Sequence, residues 1–170
     1  MSKKLFILIS VMFLRITVCM ARPDGSQVAT NWGESVEGVQ MSIELNTNVV
    51  AVGSAAILQC QIENSSTNPI YALISSRVIT ATLVLTNNFG KAYNLTLSPK
   101  FQMQPPVTGH FYDVVNAKEI YTWSIPFKID EAVEAGDYEL GAQRFFRLTP
   151  ELNEAYKLVS NSLKVTVIKQ

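Results

Sequence analysis

The chain has 170 residues, 48% of them hydrophobic and 16% charged, with 14 Lys+Arg against 14 Asp+Glu. A chain of this composition buries enough apolar surface to offset the entropy of ordering, which excludes disorder as the bulk state. The lack of a basic excess excludes the electrostatic footprint of a nucleic-acid binder.

Residues 1–21 read as a secretory signal: Lys3 and Lys4 open it, 5–14 is an apolar run, and the small Ala21 stands at the predicted cleavage position. An apolar run of about ten residues is too short to span a bilayer, which takes about 20. The expectation is therefore a secreted or periplasmic protein with no membrane span. Cys19 raises a lipid anchor as an alternative, disfavoured because Val18, just before it, is not small. Removing the signal leaves about 150 residues, the size of one domain. Three bases, Lys3, Lys4 and Arg15, leave with it, so the remainder is mildly acidic. Cys60 is then the only cysteine, and no intrachain disulfide is available. Leu58, Cys60 and Ile62 alternate with Gln59, Gln61 and Glu63, which predicts a buried Cys60 acting as a small apolar side chain.

Residues 22–37 are polar and Gly-containing and are expected to form a flexible leader before a single domain over 38–170. Val39, Met41, Ile43 and Leu45 then alternate with polar residues, the period of a half-buried strand. Further strands are predicted over 56–63, 70–74, 78–86 and 92–97. Asn87-Asn88-Phe89-Gly90-Lys91 supplies the positive φ of a tight hairpin between the last two. The stretch 98–117 has neither period and is read as a loop. Alternation returns over 119–129, with Pro126 suggesting an edge or a bulge, then over 137–148 and 158–168. Thr149-Pro150 begins like a capped helical turn.

Eight short strands without a crossover helix predict an all-β fold, an antiparallel β-sandwich of 7–9 strands, with a closed barrel as the alternative. Glu134-Ala135-Gly136-Asp137-Tyr138-Glu139-Leu140 resembles a tyrosine corner, the turn at which a tyrosine entering strand F bonds back to upstream backbone. An ordinary strand start after a Gly turn would have the same spacing. In the immunoglobulin pattern a cysteine stands two places after that tyrosine. Here the place is taken by Leu140, so the chain looks immunoglobulin-like with half its disulfide missing, and Cys60, Tyr138 and Leu140 are read as structural.

The opening Trp32-Gly33-Glu34-Ser35-Val36-Glu37-Gly38-Val39-Gln40, followed by Leu58-Gln59-Cys60-Gln61-Ile62-Glu63-Asn64, resembles uncharacterised exported bacterial proteins of planctomycete and verrucomicrobial type. These carry a Trp-Gly-Glu-x-Val-Glu-Gly-Val-Gln opening before an immunoglobulin-like domain. Asn64, Pro69, Ile70, Gly136 and Tyr138 also resemble, more loosely, modules related to an intracellular proteinase inhibitor of bacilli. The resemblance implies a fold and a compartment and brings no catalytic residues.

Chemical motifs are sparse. His110 is the sole histidine, with no recognisable nucleophile or base beside it. A zinc site would ordinarily need more His and Cys than the exported chain has. Asp130, Glu131, Glu134 and Asp137 match no calcium loop and read as a solvated acidic turn. No catalytic, cofactor or metal residues are assigned. The expected function is a non-enzymatic module for protein binding or cell-envelope structure, with a hydrolase assembled only in three dimensions, or a proteinase-inhibitor-like domain, as alternatives. The partner is unknown. Its predicted docking place is the apolar 98–117 loop, with Phe101, Met103, Pro105, Pro106, His110, Phe111 and Tyr112, unless that loop is a lid on its own core.

Overall fold

The computed structural model describes residues 31–74, 81–97, 111–151 and 154–169. The signal segment lies outside them. Twelve strands follow in chain order: β1 (Val39–Leu45), β2 (Val49–Ala51), β3 (Ala55–Asn64), β4 (Ile70–Ile74), β5 (Thr82–Asn87), β6 (Ala92–Asn94), β7 (Thr96–Leu97), β8 (Phe111–Val115), β9 (Glu119–Lys128), β10 (Gly136–Arg147), β11 (Tyr156–Val159) and β12 (Leu163–Ile168). They form two sheets. One has the order β1-β3-β9-β7; the other runs β2-β12-β10-β4-β8, with β11 and β5 also on β10 and β6 on β5.

β10 is the spine of the second sheet because its apolar period holds for twelve residues. Tyr138, Leu140, Ala142, Arg144 and Phe146 all point inward. β12 and then β11 pair along one edge of β10, while β5 and then β4 pair along the other. Met41, Ile43, Leu58, Cys60, Ile62, Ile125 and Phe127 meet this row from the first sheet. Burying each large aliphatic or aromatic side chain stabilises the fold by roughly 1.5–3 kcal/mol.

The strand order is that of an immunoglobulin-like sandwich: β1, β3, β9 and β7 occupy the A, B, E and D places, and β12, β10 and β4 the G, F and C places. The tyrosine corner is formed, the Tyr138 hydroxyl donating to the Glu134 carbonyl at 2.8 Å. Cys60 and Leu140 both lie wholly within the core, as their spacing predicts.

Several sequence expectations are corrected. Part of the 98–117 stretch is a strand: β8 pairs with β4 from Ile70↔Val115 to Ile74↔Phe111. Its own alternation is too short to show, because one inward position is the charged Asp113. The strand expected over 92–97 changes sheets at Leu95, β6 pairing with β5 and β7 with β9. The final strand is broken at 160–162, because Leu140 faces Leu163 while Gln143 faces Val159, leaving one extra residue beside β10. Pro126, by contrast, accords with the edge expectation: it pairs with Ile57 of β3 on one side and lies one residue beyond the β7 pairing on the other, so among the described residues no neighbour there asks for its N–H. Residues 148–151 form bends and a turn in place of a helix.

Residues 31–36, expected within the leader, are stitched to the sandwich. Gly33 N–H donates to the Met41 carbonyl at 2.9 Å, and Val36 and Val39 exchange backbone bonds of 2.8 Å. A Cβ on Gly33 would stand 2.1 Å from the Val159 carbonyl oxygen, so glycine is required there by close approach. Beside it Asn161, buried, closes the edge between the two sheets. Its Oδ1 accepts from Ile43 N–H at 2.7 Å and its Nδ2 donates to Ile43 O at 3.1 Å.

Candidate binding surface

The outer face of the second sheet, over β4, β8, β10 and β11, carries side chains unlike a solvated sheet surface. Alternation sends Tyr71 and Leu73 of β4, Tyr112 and Val114 of β8, Phe145 and Arg147 of β10, and Val159 of β11 to this face. Val114 is 50% exposed, Phe145 46% and Val159 43%. Register joins the middle of the patch: Arg147 faces Tyr71, Tyr71 faces Val114, and Leu73 faces Tyr112, while on the β11 side Phe145 faces Lys157 and Val159 faces Gln143, so polar side chains border the apolar ones there. Tyr71 and Tyr112 meet edge to face at 6.0 Å, and Arg147 Nη1 donates to the Tyr112 hydroxyl at 2.9 Å. Aromatic rings and arginine are the residue types enriched at protein interfaces.

Behind this patch a charge is buried. Arg144 is 1% exposed, and its Nη2 donates to Asp113 Oδ2 at 2.7 Å. The guanidinium carbon lies 4.5 Å from the centre of the Trp123 ring and 5.9 Å from that of Tyr121. Those two rings stack on each other at 5.5 Å. The ion pair ties the edge strand β8 to β10, and so holds Tyr112 and Val114 in place. Arg144 Nε and Nη1 and Trp123 Nε1 have no hydrogen-bond partner among the described residues. Burial raises the Tyr121 pKa above the usual tyrosine value, and the Asp113 carboxylate adds to that. Burial likewise pushes the Cys60 thiol up to about 12, against a lowering pull from Arg144.

Of the docking residues expected from the sequence, Phe101, Met103, Pro105, Pro106 and His110 lie outside the described residues. Phe111 begins β8, and Tyr112 stands in the patch beside Tyr71 and Arg147. Phe145, Val159 and Arg147 carry no distinguishing signal in the sequence, because each alternates with buried neighbours as the solvent side of an ordinary strand does. Arg144 does carry one, as a cation in an otherwise apolar inward row.

Of the two Asn-x-Ser/Thr sites, Asn64 is wholly buried, its Nδ2 donating to the carbonyls of Asn68, Val115 and Asn116 at 2.8, 3.1 and 3.1 Å. Asn94 is exposed on β6. Among the described residues no group of three His, Cys, Asp or Glu side chains is placed to hold a metal ion. No helix among them is long and apolar enough to cross a membrane.

No family model and no curated protein matches the chain. Solved structures resemble it in shape. The C-terminal domain of wzt is 12% identical with a TM-score of 0.47, over 88% of this chain and 81% of that one. The CARDB domain of the PF1109 protein of Pyrococcus furiosus, solved with di-metal ions, is 14% identical with a TM-score of 0.42, over 84% and 95%. A PapD-like domain of human CEP192 is 13% identical with a TM-score of 0.41, over 88% and 99%. The immunoglobulin-like arrangement itself stands on this chain's own strand order and tyrosine corner.

Proposed function

We propose that this is an exported, non-catalytic immunoglobulin-like module that binds a protein partner through the outer face of its second sheet. The observation that carries the reading is that Tyr71, Tyr112, Val114 and Arg147 lie in register on one face with the exposed Phe145 and Val159 on the strands beside them, Lys157 and Gln143 at their border, and the Arg144–Asp113 pair behind. A patch built on paired strands is rigid, so little side-chain and backbone freedom is lost when a partner covers it. Export accords with the basic and apolar start of the chain and with the likeness of the Trp32-Gly33-Glu34 opening to exported bacterial proteins.

The test is to isolate the stoichiometric partner of the purified domain and repeat the binding with Phe145→Asp and Val114→Asp. Each should weaken binding at least about tenfold, since each removes a buried apolar contact and adds a desolvated charge. Thermal unfolding should shift by no more than a few degrees, because about half of each side chain is already in water. Undiminished binding by both variants would refute the surface. Turnover of a peptide, ester or glycoside substrate, lost on His110→Ala, would refute the non-catalytic reading in favour of a hydrolase.

A further inference from the structure

At the end of the sandwich where β10 begins, Phe89 stands on the β5–β6 turn with 94% of its surface exposed. The turn beneath it is fixed. Asn87 Oδ1 accepts from the N–H groups of Phe89 and Lys91 at 3.0 and 2.9 Å, Gly90 N–H donates to Asn87 O at 2.9 Å, and Gly90 takes the left-handed φ of 78°. Lys91, two residues further on, is engaged over the Tyr93 ring at 4.8 Å. A ring held on rigid backbone gives up only its own rotamer freedom on docking.

The same end of the molecule carries a hole. A surface hollow of about 290 Å³ lies between the end of β1, β2 and the start of β3, lined by apolar side chains such as Leu45, Val50 and Ile57 and by the polar but uncharged Asn46, Thr47 and Ser54. Ile57 is 55% exposed. A cavity of about 150 Å³ is enough to hold a benzene ring. Knob and hole stand on opposite edges of one row of strands, β2-β12-β10-β5-β6. Both end strands are three residues long, and among the described residues each is paired on one side only. On a single chain they face away from each other; between two chains laid side by side they meet.

We infer that the chain associates with itself, Phe89 of one copy entering the hollow of a second copy with β6 laid along the other copy's β2. The contact joins two different surfaces of the same molecule, so it closes into a ring or extends in a line according to the rotation between copies. It goes beyond the binding role proposed above, and it leaves the Phe145 face free.

The test is sedimentation of the purified chain over a range of concentrations, with Phe89→Ser and Ile57→Glu, both at exposed positions. The unmodified chain should associate with rising concentration, and each variant should weaken that association roughly 10- to 100-fold, the effect of losing one buried aromatic contact. An equimolar mixture of the two variants should recover a dimer, since each keeps the half that the other lacks. A chain monomeric up to roughly millimolar concentration, association unchanged in both variants, or a mixture that stays monomeric would overturn the inference. Disulfide trapping adds an independent readout that keeps the ring: Asn88→Cys, next to Phe89, mixed with Thr47→Cys, which lines the hollow, should cross-link, whereas Asn88→Cys mixed with Thr122→Cys on β9 should not, and equal yields would overturn it.

Discussion

Arg144 and Cys60 show how one side chain changes the energetics of an otherwise apolar interior. A buried charge that loses its partner costs about 3–5 kcal/mol, whereas replacing the charge itself by a well-packed apolar group costs much less. Asp113→Ala should therefore destabilise the fold by about 3 kcal/mol, near the low end because the carboxylate is 25% exposed. Arg144→Met should cost less, and adding it to Asp113→Ala should restore part of the loss; denaturant titration reads all three. A double variant no better than Asp113→Ala alone would show that the pair is not what Arg144 depends on. For Cys60, the neutral thiol is the form favoured in the fold, with its pKa raised to about 12 by burial. That contribution is complete below the ordinary thiol value and is lost as pH rises through the folded value. Stability should thus fall between about pH 9 and 12 by up to about 1.4 kcal/mol per pH unit from this group. Cys60→Ala should remove that slope at a cost near neutral pH of about 1–2 kcal/mol from the small cavity. Rapid reaction of the native chain with a thiol reagent would contradict the buried placement.

Among the elements, β1 depends most on contacts that local propensity does not supply. It lies at the edge of the first sheet, and besides the core packing of Met41 and Ile43 it is tied towards the second by Asn161, by a bridge between Met41 and Ser160, and by the 31–36 segment. Asn161→Ala removes two bonds to Ile43 and leaves that buried backbone pair unsatisfied, so a loss of about 2–3 kcal/mol is expected. Gly33→Ala meets backbone at 2.1 Å, which no rotamer can relieve, so it should release the 31–36 segment from β1. Amide exchange reads both variants. Protection at Gly33 and Ile43 should fall while that of β10 is retained, and loss of protection throughout would show that the edge is integral to the core.

Across the whole molecule, the sandwich is closed by pairings between distant parts of the chain. Ile43 and Asn161 are 118 positions apart. Closing such contacts costs loop entropy before they stabilise anything, so folding should take milliseconds to seconds, as in other all-β sandwiches. Trp123 stacks on Tyr121 inside the assembled structure, which makes its fluorescence a stopped-flow probe. Complete recovery of the native signal within microseconds would contradict a fold dominated by these long-range closures.

The all-β class, the β5–β6 turn, the burial of Cys60 and the tyrosine corner were legible in the sequence, because each follows from a period of two or from the local chemistry of a few adjacent residues. β8 was hidden because its inward row contains Asp113, whose charge makes sense only opposite Arg144. The break at 160–162 and the need for glycine at 33 were hidden for a related reason: they answer to strands far away in the chain. The same holds for the binding surfaces. Tyr112 stood out as an aromatic in an aperiodic stretch. Phe145, Arg147 and Val159 share a face only because β4 and β11 are laid beside β10, and Phe89 and the hollow stand on opposite edges only because β6 and β2 border the two sides of one row of strands. Periodicity tells which side of a strand faces water; which exposed side chains share a surface is decided by pairing, and that is a property of the tertiary structure.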